Sequence, residues 1–326
     1  MSVFSSILDF INDRLFVNTK RIFSTNVNSQ KFKNKLDPYW ITGFCDAESC
    51  FTVIITKRSI LNWRVIASFE INLHIRDIAI LYQIKETFGA AGSVGLVSSR
   101  PDRSKCVYRV TKIEDLLNVI IPHFLAYPLF TLKYSDFLLW SEVVKLMSTK
   151  QHLTSLGFTT ILTYYASINK GMSLNISNAF PDVKGVERKK VSLPKNLNPY
   201  WVSGFTAGDG GFSVGICKKT GQIYFRFHIA QHLRDSLLMN LLITFFNCGK
   251  VNIRTNKDRC DFYVQDFLNI YNIIIPHFLN YPIHNIKSLD FLSFQKAAKL
   301  FKVDGRKNTE AIKDIISNMN SKREHE

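Results

Sequence analysis

Two carboxylates, Glu48 and Asp209, occupy matching places in a segment that the chain contains twice. Each stands at the end of a run that reads as a helix, where the macrodipole is negative and an anion is disfavoured. Two acids at equivalent, unfavourable points suggest that they are held for a cation. Carboxylate oxygens are natural ligands of a hard ion such as Mg²⁺. The bland alternative is a solvated carboxylate that merely ends its helix.

The elements that would position these acids are duplicated. Asp37-Pro38-Tyr39-Trp40-Ile41-Thr42-Gly43-Phe44 returns as Asn198-Pro199-Tyr200-Trp201-Val202-Ser203-Gly204-Phe205. Phe69 to Asp77 returns as Phe227 to Asp235, and Ile120 to Leu129 as Ile274 to Ile283. The blocks keep their order while the spacing between copies drifts, as expected of one fold repeated with loops of different length. Two repeats are too few for a solenoid, so a closed pseudo-dimer is expected. The halves are placed at 36–168 and 197–318. Between them, 169–196 reads as a polar, basic linker carrying Lys170-Gly171, Pro181-Asp182 and Arg188-Lys189-Lys190. Residues 1–35 form a leader or extension and 319–326 a charged tail.

Within each half, Asp37 and Asn198 are good N-caps, and the prolines after them suit the first helical position, where no amide is needed. Gly43 with Ala47, and Gly204 with Gly208, give each helix a stripe of small side chains through which two backbones can approach closely. Strand patterns follow: Trp63, Val65, Ala67, Phe69 and Ile71 alternate with polar residues, as do Ile223, Phe225, Phe227 and Ile229. Shorter alternations at 105–111 and 259–265 come after turns at Gly92 and Gly249. Helices are expected at 113–124 and 133–146, and again at 267–278 and 287–300. Each sheet should bury one face against helices and expose a polar one.

Composition narrows the partners. The 326 residues carry 42 Lys+Arg against 26 Asp+Glu, a formal charge of +16 and a pI near 9.6, which favours a polyanion. No apolar run is long enough to span a bilayer, and no basic amphipathic helix argues for a membrane surface. Nucleic acid is therefore favoured. The six cysteines lack zinc-site or disulfide spacing and read as reduced thiols.

The segment Trp40-Ile41-Thr42-Gly43-Phe44-Cys45-Asp46-Ala47-Glu48-Ser49-Cys50-Phe51 resembles the LAGLIDADG signature, and Trp201 to Phe212 is a second copy. The Ile-Ile-Pro-His-Phe blocks, Gln151-His152-Leu153-Thr154 and Asn178-Ala179-Phe180-Pro181 are also similar to single-chain, double-motif homing endonucleases encoded in fungal mitochondrial introns. The resemblance runs from about Leu36 to about residue 318. It implies an α/β (α+β) fold of two pseudo-symmetric halves, each with a four-stranded antiparallel DNA-binding sheet, joined through a two-helix central interface. It further implies a monomeric, site-specific endonuclease that cuts both strands of a long DNA duplex with Mg²⁺ and supports intron mobility. Glu48 and Asp209 are then the catalytic metal ligands, where bound metal would activate water and neutralise a leaving oxygen. Lys112 and Gln231 are expected in the water network around the metal; their counterparts, Asp266 and Leu73, make the two centres chemically unlike. Ser49 stands where the family usually has glycine, where it could stiffen the turn and shift Glu48, and Ala207 stands opposite Asp46.

Base-reading side chains are expected on the exposed strand faces: Thr52, Arg64, Ser68, Glu70, Lys105 and Arg109 in the first half, Tyr224, Arg226, His228, Asn252, Arg254, Arg259 and Tyr263 in the second. Because these sets differ, as at the nearly equivalent Arg64 and Tyr224, the target should not be a palindrome. Lys57, Lys189, Lys190, Lys218 and Lys219 would meet phosphates. Histidines 74, 123, 152, 232, 277 and 284 read as structural or phosphate-facing. Competing functions are an RNA-binding maturase for the host intron and a DNA-binding protein that has lost cleavage. Residues 1–35, with six basic and two acidic residues, read as a transit peptide or exon read-through, either of which leads to the mitochondrion.

Overall fold

The structure, a computed structural model, describes residues 35–59, 62–97, 104–255, 257–304 and 308–320. The leader read at 1–35 and the tail at 319–326 lie outside these residues except for Lys35, Met319 and Asn320.

The first half opens with α1 (Pro38–Glu48), whose N-cap Asp37 accepts hydrogen bonds from the amides of Tyr39 and Trp40. The strands β1 (Ser49–Ser59) and β2 (Asn62–His74) form an antiparallel hairpin, followed by a 3₁₀ turn (Ile75–Asp77) and α2 (Ile78–Thr87). Next come β3 (Ser93–Leu96) and β4 (Lys105–Val110), giving a four-stranded antiparallel sheet of order β1-β2-β4-β3. Gly92 makes the turn before β3 at φ +71°, where a Cβ would also press on the Arg109 carbonyl. The helical run α3 (113–126) contains a π turn at Leu116–Ile120, which ends two residues before Pro122. A proline inside a helix lacks its amide and crowds the preceding turn, and a π turn accommodates this. α4 (Lys133–Ser148), a 3₁₀ turn (Gln151–Leu153), α5 (Ser155–Ser167) and α6 (Leu174–Ala179) complete this region.

The second half repeats the plan with α7 (Pro199–Asp209), β5 (Gly210–Ile216), β6 (Ile223–His232), α8 (Ser236–Phe246), β7 (Lys250–Ile253) and β8 (Arg259–Val264), in sheet order β5-β6-β8-β7. A 3₁₀ turn (Leu233–Asp235) joins β6 to α8. The run α9 (267–280) carries the same π turn, at Ile270–Ile274 before Pro276, and α10 (Lys287–Asp304) and α11 (Thr309–Ser317) follow.

Matching aromatic clusters fill the space between each sheet and its helices. Phe51 packs on Phe69, Phe124, Phe137 and Trp140. Phe212 packs on Phe227, Phe278, Phe291 and Phe294. Fully burying such rings removes large apolar areas from water and is the main force holding helices to sheet.

Two features differ from the sequence reading. Helices α5, α6 and α11 depart from the sequence expectation, and the linker is strapped to the first half. Arg188 pairs with Asp136 at 2.8 Å, the Asn169 amide donates to Asp136 Oδ1 at 2.8 Å, and Ser167 Oγ donates to the Val186 carbonyl at 2.7 Å. Asn169 Nδ2 also donates to the Phe51 carbonyl, and Asn320 repeats both contacts on Asp290 and Phe212. The repeat is thus still recognisable at Asn320.

Candidate active site and nucleic-acid face

Helices α1 and α7 cross at the centre with their glycines in contact. A Cβ on Gly43 would run into the carbonyl oxygen of Trp201, and one on Gly204 into that of Trp40. Near the C-terminal ends, a Cβ on Gly208 would strike Ala47 Cβ and come within 3.1 Å of Glu48 Cγ. The small-residue stripes therefore do what their spacing suggested. They bring the ends of two helices, and the carboxylates Glu48 and Asp209, side by side.

Both acids have raised pKa values. For Glu48 burial is the largest cause, followed by the charge of Asp209; for Asp209 burial is again the largest. Two ammonium groups oppose this. Lys133, at the start of α4, donates from Nζ to the carbonyls of Cys45 (2.8 Å) and Ala47 (3.4 Å). Lys287, at the start of α10, donates to those of Thr206 (3.0 Å) and Gly208 (2.7 Å). Each lysine caps the last turn of a motif helix, supplying positive charge where carbonyls lack partners. Burial lowers the pKa of Lys287 to about 8. Neither lysine was singled out from sequence. The signal was available: Leu132-Lys133 and Ile286-Lys287 sit at equivalent points of the repeat.

Of the other site candidates, Gln231 Nε2 donates to Asp209 Oδ2 at 3.1 Å, while its side-chain oxygen accepts from the His232 amide at 2.8 Å. Lys112 is not brought to the acids. It is exposed at the start of α3 and pairs with Glu114 at 3.2 Å. Ser49 and Gly210 adopt nearly the same extended backbone, φ −86° and −89°, which any residue adopts, although a Cβ on Gly210 would lie 2.8 Å from the Thr206 carbonyl oxygen; Ser49 Oγ donates to the Cys45 carbonyl at 2.7 Å. That bond ties Ser49 to the last turn of α1, directly after Glu48.

Asp46, two residues before the end of α1, is buried. Its carboxylate accepts from the amides of Phe130 and Thr131, from Thr131 Oγ1 and, across the interface, from Trp201 Nε1 at 2.8 Å. Its counterpart Ala207 has no side-chain acceptor, and Trp40 Nε1 and Thr206 Oγ1 are buried without a hydrogen-bond partner among the described residues.

The outward faces of the sheets carry most of the candidate base readers. In the first half Arg64 and Lys105 are exposed, and Thr52 is partly so. Glu70 and Arg109 are cross-strand partners and form a two-pronged ion pair at 2.8 and 3.3 Å. Ser68 departs from expectation: it is 2% exposed, and its hydroxyl donates to Glu70 Oε1. In the second half Tyr224 and His228 lie over Gly215 and Gly211, whose missing side chains leave room for their rings. Arg226 sits 4.8 Å above the Tyr263 ring, Arg254 pairs with Asp261, and Asn252 and Arg259 are exposed. Register corrects one pairing. Tyr224 faces Gly215 as Ile66 faces Ile54, so the counterpart of Tyr224 is Ile66 rather than Arg64. Among the described residues no helix is long and apolar enough to cross a membrane.

Among those residues no three His, Cys, Asp or Glu side chains converge as a complete metal cage. Two adjacent carboxylates nevertheless fit Mg²⁺, which is commonly held by one or two carboxylates together with substrate phosphates and water.

Residues 41–144 and 202–298 each match the family model described as LAGLIDADG endonuclease. A relative from Neurospora crassa named probable intron-encoded endonuclease 2 is 37% identical over 298 residues, which cover 88% of this chain and 65% of the relative. The chain thus spans slightly less than two thirds of that relative's length. The crystal structure of the LAGLIDADG homing endonuclease I-GzeII in complex with its DNA target superposes with a TM-score of 0.84 at 31% identity, covering 89% of this chain and 100% of that one. I-SmaMI bound to uncleaved DNA target in the presence of calcium ions gives 0.82 at 32% identity, covering 88% and 99%.

Proposed function

Because this chain belongs to the LAGLIDADG endonuclease family, we propose that it is a site-specific homing endonuclease that hydrolyses one phosphodiester in each strand of a long, non-palindromic DNA duplex, with Mg²⁺. The observation that carries this reading is the pair Glu48 and Asp209 at the touching ends of α1 and α7, flanked by Lys133 and Lys287. Intron mobility is the corresponding biological role, and the mitochondrion the corresponding location, by analogy with relatives named as intron-encoded. The chain acts as a monomer, since both halves of the centre come from one polypeptide.

Duplex DNA would lie along the outward faces of the two sheets, with lysines and arginines neutralising phosphates and making affinity fall steeply with salt. Arg64, Lys105 and Arg109 would read one half of the target, and Tyr224, Arg226, His228, Asn252, Arg254, Arg259 and Tyr263 the other. The cross-strand pair Glu70–Arg109 has His228–Tyr263 as its counterpart, so the two half-sites differ.

Glu48 and Asp209 would hold Mg²⁺ against the scissile phosphates. When bound, the metal supplies activation of water and charge neutralisation on the phosphate and leaving oxygen. Gln231 fixes the rotamer of Asp209 through Oδ2, while Leu73 leaves Glu48 without such a partner. Lys133 and Lys287 offset the mutual repulsion of the two carboxylates and add positive charge where the phosphate becomes more anionic.

The test is Mg²⁺-dependent cleavage of a duplex joining the exons that flank the host intron, comparing wild type with Glu48→Gln and Asp209→Asn. Wild type should cut both strands, and each variant should lose double-strand cleavage by roughly 100-fold or more while still binding. Tight binding by wild type without cutting would overturn the nuclease reading and leave a DNA-binding protein or maturase.

A further inference from the structure

We propose that Asp77 and Asp235 are crossed positioning residues: each fixes, from one half, the helix entry that delivers the lysine of the other half to the paired carboxylates. The inference rests on reading Glu48 and Asp209 as the site of chemistry. It adds a dependence of each half on the other.

Asp77 closes the 3₁₀ turn after β2. Its Oδ1 accepts from the amide of Ile286, at 3.0 Å, and the next residue is Lys287. Asp235 closes the equivalent turn after β6, and its Oδ1 accepts from the amide of Leu132, at 2.8 Å, next to Lys133. The other carboxylate oxygen faces the half's own arginine, Arg76 at 3.9 Å and Arg234 at 3.6 Å. Both aspartates are largely covered, with side chains 11% and 6% exposed. The arrangement occurs twice, in both directions across the interface.

A lysine has four rotatable carbons behind its charge, so its ammonium is placed only if its two ends are fixed. The head is held by the carbonyls that end the motif helix of its own half. The root is held from the opposite half by an aspartate, beside a contact within its own half: the Lys133 amide donates to Thr131 Oγ1 at 3.3 Å, and Asn285 Nδ2, two residues before Lys287, donates to the Ala207 carbonyl at 2.9 Å. Removing Asp77 therefore loosens the root of Lys287 and also takes away a negative charge that bears on Glu48, while removing Asp235 loosens the root of Lys133. Each lysine is then fully set only with the other half in place, which ties the two cuts together.

Two measurements on the full chain test this. On supercoiled plasmid carrying the flanking-exon target, Asp77→Ala and Asp235→Ala should each slow turnover about 10-fold or more with DNA affinity within about twofold of wild type. Each should accumulate nicked circles, and the two variants should leave opposite strands intact. Asp77→Asn and Asp235→Asn keep an oxygen acceptor and should recover most of the rate. Independently of cleavage, competitive acylation of the free protein read by peptide mass spectrometry should show Lys287 labelled severalfold faster in Asp77→Ala with Lys133 unchanged, and the reverse in Asp235→Ala. Labelling that does not follow this crossed pattern overturns the proposal, as does equal slowing of both strands. Crossed labelling in a protein whose wild type cuts nothing would uphold the positioning and sink the nuclease reading instead.

Discussion

The ends of α1 and α7 share a backbone but differ in how they are anchored. In the first, Asp46 collects four donors, one of them Trp201 Nε1 from the other half. In the second, Ala207 leaves the equivalent indole, Trp40 Nε1, buried and unpaired, and Asn285 Nδ2 donates to the Ala207 carbonyl at 2.9 Å instead. Pseudo-symmetry thus constrains the shape of the interface more strongly than its hydrogen bonds. Glycine contacts fix how close the helices come, and one of the two polar anchors is dispensable once that closeness is set.

The largest expected effect comes from breaking the anchored side. Asp46→Ala would strand the Phe130 and Thr131 amides, the Thr131 hydroxyl and the Trp201 indole away from water. At about 1–3 kcal/mol for each unsatisfied group, partly relieved by relaxation, the loss should be roughly 5 kcal/mol, a large part of a typical domain's stability. Urea denaturation would measure it. A loss under about 1 kcal/mol would mean that the carboxylate network is no more important than the alanine opposite.

A second effect should be the same in both halves and so tests where the symmetry is real. His123 Nε2 lies 3.1 Å from Thr42 Oγ1, which itself donates to the Tyr127 carbonyl; His277 repeats this with Ser203 and Tyr281. The hydroxyl donates onward, so each ring donates from Nε2 as a neutral imidazole. Burial lowers both histidines from 6.5 to about 4. Above pH 6.5 they are neutral folded or unfolded and stability does not depend on them. Below it the unfolded chain binds the protons first, so stability falls between about pH 6.5 and 4, by about 3 kcal/mol per histidine at most. His152, His228 and His284, also lowered by burial, take up protons on unfolding in the same direction, so replacing His123 or His277 by glutamine should remove about one proton from that total uptake. Removal of none would place the acid sensitivity elsewhere.

The duplicated frame was legible because periodicity, N-caps and glycine spacing are local, and the repeat supplies each signal twice. Asp37-Pro38 and Asn198-Pro199 start their helices where local rules put them. Long-range pairing was not legible. Lys133 and Lys287 follow their acids by many residues and reach them only because α4 and α10 begin beside the ends of α1 and α7. Lys112 lies just past β4, yet the turn into α3 points it to Glu114. Strand parity put Ser68 on the polar face, and it is there, but Glu70 covers it. Parity gives the face of a side chain; its neighbours decide whether that face reaches solvent.

The smallest effect is the most direct probe of the asymmetry, because the same substitution can be made on both sides. Trp201→Phe removes a donor from a buried carboxylate and leaves Asp46 Oδ2 with the Phe130 amide alone. Trp40→Phe removes a donor that has no acceptor, so the lost ring volume is offset by the loss of an unpaired polar group. Both indoles are fully buried and stack on the phenylalanine one turn later, Phe44 and Phe205, so the packing cost should nearly cancel in the comparison. What remains is a hydrogen bond to a charged group, about 1.5–3 kcal/mol. Trp201→Phe should therefore be less stable than Trp40→Phe by that amount in parallel denaturation curves. Equal losses would mean that Trp40 Nε1 has found an acceptor of its own, and that the second half has rebuilt the anchor that Ala207 removed.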